Sequence, residues 1–332
     1  MLRIKSFLKK FKLIIDQFYL FRSYLSNSKR YKLNLSKSFV DYEKVHFIYR
    51  SKYKESASTI MRCFQFQKIL KNEGGLLVDV LNEEFISDLK DSICILNKSF
   101  LINATPREFE ILLSNNNIIC LDYIDSLPRL FHIKYAHSLI ASSINQKIYF
   151  LEKFKNKLIK FIPHNVDPRI KQNSENNFLN IAYFGEKDNG LYLENLSNLI
   201  DSYFINTKKT ENKNWINNID KYNAHYIIRR NISKNIFKPF LKGFTAAHNN
   251  ANVIAYIKDG DSSFYLGKDY PYLIKDISLK NVLNLISYMN ESYKSKEWYY
   301  GLEIMREVKE KSSNQYIINE FKDYLKSLRE LS

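Results

Sequence analysis

The 332-residue chain is poor in the residues that mark fibrous, low-complexity or disulfide-rich proteins. Its 8 glycines and 6 prolines exclude a collagen-like or low-complexity chain. Its three cysteines, Cys63, Cys94 and Cys120, are widely spaced and form no CxxC pair, so we expect neither a disulfide framework nor a zinc site, and we expect a reducing cytosol. No run of about 18 uncharged apolar residues occurs, so no membrane-spanning helix is predicted.

Apolar residues, by contrast, are abundant. They make up 45% of the chain and aromatic residues 15%, which is enough to build large cores and excludes a mainly disordered protein. At a prior of roughly 150 residues per domain, the length predicts about two domains.

The chain is also strongly basic, with 51 Lys and Arg against 35 Asp and Glu and a formal net charge of +16. Three partners suit such a charge: nucleic acid, an anionic membrane surface, or small substrates that carry phosphate. A soluble protein that is merely basic is the fourth interpretation. Composition alone does not choose among them.

The first 25 residues have the pattern of a basic amphipathic helix. One apolar stripe recurs at spacings of three and four, and it consists of Ile4, Phe7, Phe11, Ile14, Phe18, Phe21 and Leu25. The basic side chains fall largely off that stripe. Such a helix suits either the surface of an anionic bilayer or a face of the protein's own body. It lacks the uninterrupted apolar core of a secretory signal. Residues 26–40 follow as a polar, basic connection.

Residues 41–165 alternate strand-like and helical patterns. The predicted strands cover residues 44–50, 76–81, 92–96 or 99–103, 117–125, 138–141 and 158–162, and a helix begins near Ser143. Such alternation predicts a parallel sheet covered on both faces, with ligands beyond the carboxyl ends of its strands. Pro163 and Pro168 bracket a turn-rich segment that we interpret as the domain boundary.

Residues 166–332 repeat the pattern. Strands are predicted in residues 177–186, 223–230 and 253–257. Helices are predicted in residues 191–204, within residues 236–257 before the strand at 253–257, and through the tail from about residue 296. The chain is therefore expected to hold two strand–helix–strand domains in series.

Four segments follow one another along the chain: AHSLIASS, FIPHNVDPRI, IAYFGE and KPFLKGFTAAHNNANVIA. Through these segments and their order, the chain resembles GT-B glycosyltransferases of the group 1, or family 4-like, type. In the last segment Pro239, Phe240 and Ala247 fit the family pattern, as do residues 253–255. The resemblance covers nearly everything after residue 40. It implies an α/β protein of two Rossmann-like, doubly wound domains that face a central cleft, with a nucleotide sugar as co-substrate and a final helix that crosses back to the first domain. Lys238 and Ala246 replace the family's two glutamates.

Donor-binding candidates lie in the second domain, where cations and helix N-terminal amides would stabilise the charge that develops on the leaving phosphate. Arg229 and Arg230 end a strand, and arginine matches phosphate oxygens. The other donor-side candidates are Gly185, Lys187, Lys238, Lys242, Gly243 and Thr245. The alternative is that the arginines pair with surface acids or water.

Candidates for catalysis come mainly from the first domain. An inverting transferase needs a base near the acceptor hydroxyl, and Asp122 and Asp125 are the best-placed acids; His225 is a third candidate. Asp122 also suits a helix cap, and His225 a core position. On the acceptor side, the candidates are Glu55, Ser56 and Arg62. The only D-x-D triplet, residues 259–261, suits a turn, so no metal and no resident cofactor is expected.

These observations predict a metal-independent glycosyltransferase, cytoplasmic and peripheral on the inner face of the membrane, that builds a bacterial surface glycan such as capsule or lipopolysaccharide. Its expected partners are a nucleotide sugar, a glycan or lipid-linked acceptor, and an anionic membrane through residues 1–25; nucleic acid is not expected. Two alternatives stay open: an inactive GT-B-like scaffold, and a nucleic-acid-binding protein. A CMP-linked acid sugar and a UDP- or GDP-linked neutral hexose are both compatible with the sequence.

Overall fold

A computed structural model describes residues 43–173, 176–206, 215–230 and 237–330. The amphipathic segment predicted in residues 1–25 lies outside these ranges. The described residues form two parallel sheets, one in each half of the chain, with helices packed against them.

The first sheet has six strands in the order β2-β1-β3-β4-β5-β6, and every neighbouring pair is parallel. The strands are β1 (Val45–Tyr49), β2 (Val78–Asn82), β3 (Ile93–Asn97), β4 (Ile118–Asp122), β5 (Ser138–Ala141) and β6 (Leu158–Phe161). All residues of β1, β3, β4 and β5 are buried. This is the burial expected of a parallel sheet covered on both faces, and it explains why these strands are continuous apolar runs.

The first-domain helices alternate with these strands. Helix α1 spans residues 57–72 and consists of Ala57–Thr59, a π-helical stretch Ile60–Gln65, and Phe66–Asn72. The others are α2 (Lys98–Leu101), α3 (Pro106–Ser114), α4 (Leu130–Ile133) and α5 (Ile144–Lys153). Helix α3 begins with a reciprocal capping box between Thr105 and Glu108, which satisfies N–H groups that the first turn leaves unpaired.

The second sheet has five strands in the order β11-β10-β9-β7-β8, also parallel. They are β7 (Ile181–Gly185), β8 (Asp201–Phe204), β9 (Ala224–Tyr226), β10 (Asn252–Tyr256) and β11 (Leu273–Ile274). Its helices are α6 (Leu241–His248), α7 (Ser262–Leu266), α8 (Leu279–Glu291) and α9 (Lys296–Glu310). The predicted α/β architecture of two doubly wound domains is confirmed.

The last helix, α10 (Asn314–Arg329), packs on the first sheet although it follows the second domain in sequence. The ring centroids of Phe321 and Phe47 lie 5.9 Å apart, and the Tyr324 hydroxyl donates to Ser138 Oγ at 2.8 Å. The chain therefore returns to its first domain. Among the described residues, no helix combines the length and apolarity needed to span a bilayer.

Two local predictions were wrong. Residues 191–204 form turns followed by strand β8 and not a helix; Tyr192 adopts a φ of 57°, which a right-handed helix does not accommodate. Residues 98–101 form helix α2 and not a strand, because the Asn97 side chain accepts from the Ser99 N–H and caps a helix at once.

Candidate active site

The second sheet has a topological switch point at its first strand. Strand β7 is flanked by β8 on one side and β9 on the other, so the chain crosses β7 between them. In open parallel sheets, ligands bind in the crevice outside the carboxyl ends of the strands at such a point. Gly185 ends β7, and Arg229 and Arg230 follow β9 closely. An antiparallel bridge between Gly190 and Arg229 joins the two loops.

Lys242, in the first turn of helix α6, brings an ammonium group to this crevice. A Cβ atom added to Gly185 would lie 2.9 Å from Lys242 Nζ, so the absence of a side chain at Gly185 makes room for the amine. The amine lies 3.9 Å from the ring centroid of Tyr183. It is shielded from solvent and has no hydrogen-bond partner among the described residues. Burial, with Arg229 adding to it, holds the pKa of Lys242 well below its ordinary value.

Arg229 lies beside this amine. Its Nη1 is 3.3 Å from Asp259 Oδ1, and its Nη2 donates to the Pro239 carbonyl at 3.5 Å. Burial raises the pKa of Asp259, although Arg229 and Lys242 oppose the rise. Two cations thus share one buried carboxylate. This excess of positive charge at the switch point is what a phosphate group requires.

Arg230 and Lys187 line a different recess, next to strand β8. The pocket has a volume of about 250 Å³ and is lined by Lys187, Leu193, Glu194, Ser197, Ser202, Phe204 and Arg230. Arg230 Nε donates to the Gly190 carbonyl at 2.7 Å, which fixes the side chain. The Phe204 ring is 44% exposed, and Lys187 Nζ lies 5.9 Å from its centroid. An exposed ring beside two cations offers a flat surface next to phosphate-binding groups.

Gly243 and Thr245 have partners within helix α6 and its surroundings. A Cβ atom at Gly243 would lie 2.0 Å from Phe240 Cε1, so this glycine permits close packing of the ring. Thr245 Oγ1 donates to the Leu241 carbonyl one turn earlier, at 3.0 Å. These contacts give both residues structural functions, and the donor-binding functions expected from the sequence stay predictions.

Across the junction, Arg62 and Asp122 form a buried ion pair. Arg62 Nε donates to Asp122 Oδ2 at 2.8 Å, and both side chains are 1% exposed. Asp122 Oδ1 accepts the Ile124 N–H at 3.1 Å. Arg62 Nη1 donates to the carbonyls of Ile162 and Pro163, each at 3.0 Å. The pair therefore anchors the connection between the domains. Both side chains are therefore buried and paired with each other, and the functions of Asp122 as a base and of Arg62 as an acceptor-side residue stay predictions.

Asp125 forms an ion pair with Lys98 of its own domain and another with Lys238 of the second domain. Burial by itself would raise the pKa of Asp125, but the two ammonium groups outweigh it and hold the pKa below its usual range. Asp125 is therefore a carboxylate that links the two domains. Gly260 allows the chain to pass close to Lys238. Its φ of 54° favours glycine, and a Cβ atom at this position would lie 2.5 Å from the Lys238 carbonyl oxygen.

The remaining candidates lie apart from this junction or inside the core. His225 is 2% exposed and shares a hydrogen bond of 3.0 Å between its Nε2 and Asn249 Oδ1. Burial lowers the pKa of His225 to about 4. This is the core position that the sequence offered as its alternative. Ser56 caps helix α1 by accepting the Thr59 N–H, and Glu55 is exposed.

Sequence reasoning missed three contributions to the site. Lys98 pairs with Asp125, and Asp259 pairs with Arg229. Asp261 accepts the N–H groups of Ile144 at 2.9 Å and Asn145 at 3.4 Å, at the N-terminus of helix α5 in the other domain. The turn predicted for residues 259–261 is present, but both of its aspartates are buried. Their position just after strand β10 was the available signal, since the carboxyl end of a parallel strand is where ligands and domain contacts gather.

No cluster of three or more His, Cys, Asp or Glu side chains suited to a metal ion occurs in the part of the chain that the structure describes. No protein-family profile and no curated protein matches the sequence.

Solved structures do match, and they define the fold class as GT-B. A glycosyltransferase from Rickettsia africae ESF-5 aligns with a TM-score of 0.61 at 11% identity, over 88% of this chain and 100% of that one. Anabaena HepE in complex with UDP-glucose aligns with a TM-score of 0.57 at 10% identity, over 86% and 99%. The pneumococcal O-GlcNAc transferase GtfA aligns with a TM-score of 0.52 at 13% identity, over 74% and 59%. This chain likewise spans 60% of the chain matched in the GtfA/B complex.

Proposed function

We propose that the protein is a glycosyltransferase that takes a sugar from a nucleotide-sugar donor. The observation that carries the proposal is the amine of Lys242, which lies against Gly185 at the switch point and next to Arg229. It is shielded from solvent and has no hydrogen-bond partner in the part of the chain that the structure describes. A buried cation without a partner is costly, and an anionic ligand removes that cost. The donor phosphates are the ligand group that this arrangement fits best.

The pocket beside β8 supports the same proposal. It shares the carboxyl edge of β7 with Gly185, and it contributes Arg230, Lys187 and the exposed Phe204 ring. A nucleoside stacked near Phe204 would extend its phosphates toward Lys242 and Arg229. Solved GT-B neighbours that hold UDP or UDP-glucose support a nucleotide sugar as the class of ligand.

The acceptor and the cellular setting belong to the proposal as well. We propose a glycan or lipid-linked acceptor in bacterial surface polysaccharide synthesis, on the cytoplasmic face of the membrane. What supports this setting is the basic amphipathic pattern of residues 1–25 and the net charge of +16. Metal-independent transfer is proposed because Lys242 and Arg229 supply positive charge where the leaving phosphate would lie.

The first experiment is a thermal-shift panel of UDP, GDP, CMP and their sugar conjugates on the full chain. A ligand that binds the folded state raises the melting temperature by mass action. We expect one nucleotide class to give a shift, and Lys242→Met to lose it. Lys268→Met, which removes an exposed lysine of the same domain, serves as the control and should keep it. A folded wild-type protein that binds none of these nucleotides would contradict the proposal.

A further inference from the structure

A cluster of four polar side chains lies at the junction of the two domains: Lys98, Asp125, His164 and Lys238. Lys98 follows strand β3, Asp125 follows β4 and His164 follows β6, so all three lie at the carboxyl edge of the first sheet. Lys238 precedes helix α6 in the second domain and reaches Asp125 across the junction. The topology thus brings these four side chains together beside the candidate donor site.

The charges of this cluster do not balance. Asp125 supplies one negative charge against the two ammonium groups of Lys98 and Lys238. The side chains of the two lysines are 28% and 36% exposed, whereas Asp125 is 11% exposed. The carboxylate therefore lies beneath two cations that still reach solvent. Each ammonium has three N–H donors, and among the described residues each donates only to Asp125.

His164 adds an unused polar group. It is 3% exposed, and neither of its ring nitrogens has a hydrogen-bond partner among the described residues. Burial and the nearby Arg62 hold the pKa of His164 well below its ordinary value, and Lys238 and Lys98 add to this effect. The ring is therefore neutral, and it offers one N–H donor and one acceptor. Buried polar atoms are normally paired, so an unpaired ring is a reason to expect a ligand.

This cluster adjoins the proposed phosphate site. The carbonyl of Pro239, the residue after Lys238, accepts a hydrogen bond from Arg229 Nη2 at 3.5 Å, so Lys238 lies next to a residue of the proposed phosphate site. The Lys238 carbonyl lies against Gly260, between the two buried aspartates Asp259 and Asp261. A sugar attached to phosphates at Lys242, or an acceptor facing that sugar, would meet Lys98 and Lys238 first.

We propose that Lys98, Lys238 and His164 form a subsite for an anionic group, a carboxylate or a phosphate, on one of the two substrates. The inference rests on the proposed function, because it places this subsite next to the donor phosphates. The group comes either from the transferred sugar, as in a uronic acid, or from the acceptor, as in an acidic sugar or a lipid phosphate. Lysine ammonium groups bind such oxygens by charge-assisted hydrogen bonds.

The test measures binding to the full chain by isothermal titration calorimetry in two arms. The donor arm compares UDP-glucuronate with UDP-glucose, which differ at C6 only. If the nucleotide panel selects another base, GDP-mannuronate is compared with GDP-mannose, or CMP-N-acetylneuraminate with its methyl ester. The acceptor arm compares methyl glucuronide with methyl glucoside and geranyl phosphate with geraniol. It is run both with and without saturating nucleotide.

We expect the anionic member to bind about tenfold more tightly in one arm, since a hydrogen bond to a charged group contributes roughly 1.5–3 kcal/mol. The arm that shows the preference identifies the substrate that carries the charge. Lys98→Met should reduce the preference to about twofold or less while leaving the affinity for the free nucleotide unchanged. Lys238→Met should likewise reduce the preference to about twofold or less. Lys90→Met, which removes an exposed lysine of the first domain, should keep the full preference.

Three outcomes would overturn the proposal: equal affinities within every pair, a preference that survives in both lysine variants, and no detectable binding of any anionic probe. If the lysines serve only to hold the domains together, Lys238→Met will weaken both members of a pair equally. Failure of the proposed function is recognised separately, because wild type would then bind no nucleotide. The acceptor arm without nucleotide would still test the anionic subsite.

Discussion

Arg62 is a buried cation at the point where the chain leaves the first domain. It holds Asp122 at the end of strand β4 and, at the same time, the carbonyls of residues 162 and 163, where the chain leaves the first domain. Its guanidinium carbon lies 4.4 Å from the centroid of the Phe66 ring, which covers one face. A fully buried charge of this kind is tolerable only while its partner is present.

Removing that partner is predicted to be costly. Asp122→Ala leaves the Arg62 guanidinium buried and uncompensated, and it should lower the free energy of unfolding by about 3–5 kcal/mol. Asp79→Ala is the matched control, because Asp79 pairs with Lys71 at 3.7 Å on the surface, where both side chains are more than half exposed. That change should cost at most about 1 kcal/mol.

Urea unfolding of the two variants beside wild type measures the difference. Equal losses in Asp122→Ala and Asp79→Ala would contradict the structural function given to the buried pair. A loss in transfer activity by Asp122→Asn that leaves stability and nucleotide affinity unchanged would instead restore Asp122 as a candidate base.

At the scale of elements, helix α10 joins the end of the chain to its first domain. Six of its side chains are buried, and they belong to the same cluster as strand β1 and helix α1: Ile317, Ile318, Phe321, Tyr324, Leu325 and Leu328. The apolar residues recur at helical spacing, so one face of the helix is dictated locally. The face it covers is on the first domain, so the helix is part of the core of that domain although it follows the second domain in sequence.

Shortening a side chain at the centre of this face is predicted to destabilise the first domain. Phe321→Ala removes a ring that contacts Phe47 of β1, and it should cost about 3–5 kcal/mol. Lys322→Ala, on the exposed side of the same helix, should change stability by no more than about 0.5 kcal/mol. Chemical denaturation followed by tryptophan fluorescence and by far-UV circular dichroism measures both. A loss below about 1 kcal/mol in Phe321→Ala would mean that the helix is not an integral part of the first domain.

At the scale of the whole molecule, the contacts that join the domains include the Asp125–Lys238 ion pair and the Asp261 carboxyl group at the start of helix α5. The N-terminus of a helix carries partial positive charge, so a carboxylate there is favourable. Burial nevertheless raises the pKa of Asp261 to about 6, because the two N–H groups of α5 only partly compensate for lost solvation.

This raised pKa predicts a pH dependence. The folded protein keeps the Asp261 proton up to about pH 6, whereas the unfolded chain loses it near its ordinary pKa of about 3.9. The protonated Asp261 carboxyl group therefore contributes its full stabilisation below about pH 4, and this contribution is lost as the pH rises through about 6. Relative to Asp261→Asn, wild type should lose about 2–3 kcal/mol between pH 4 and 7. Urea titrations at several pH values measure it, with Asp269→Asn, an exposed position, as the control. Parallel pH profiles for wild type and Asp261→Asn would contradict the prediction.

Much of the fold was predictable because parallel strands buried on both faces leave unmistakable apolar runs. The run at residues 45–49 became a strand within one residue of its predicted bounds. The strands at 118–122 and 181–185 lie inside the predicted ranges 117–125 and 177–186, but the first ends three residues earlier and the second begins four residues later. Residues 191–204 were not predictable from periodicity, because Leu193, Leu196 and Ile200 have the spacing of a helix yet pack into the second core from turns. The spacing of apolar residues indicates which side chains are buried, but turns can bury residues at that spacing as well as a helix can.

The sequence by itself determined the two-domain α/β architecture and the presence of cations at the ends of strands in the second domain. Only the tertiary structure decided which charges meet. It paired Arg62 with Asp122 over 60 residues and Asp125 with Lys238 over 113, and it placed the Lys242 amine against Gly185 with no hydrogen-bond partner among the residues described. The physical reason is that secondary structure follows from local sequence periodicity. Charge pairing depends on which strand ends the sheet topology brings together, and no local pattern encodes that.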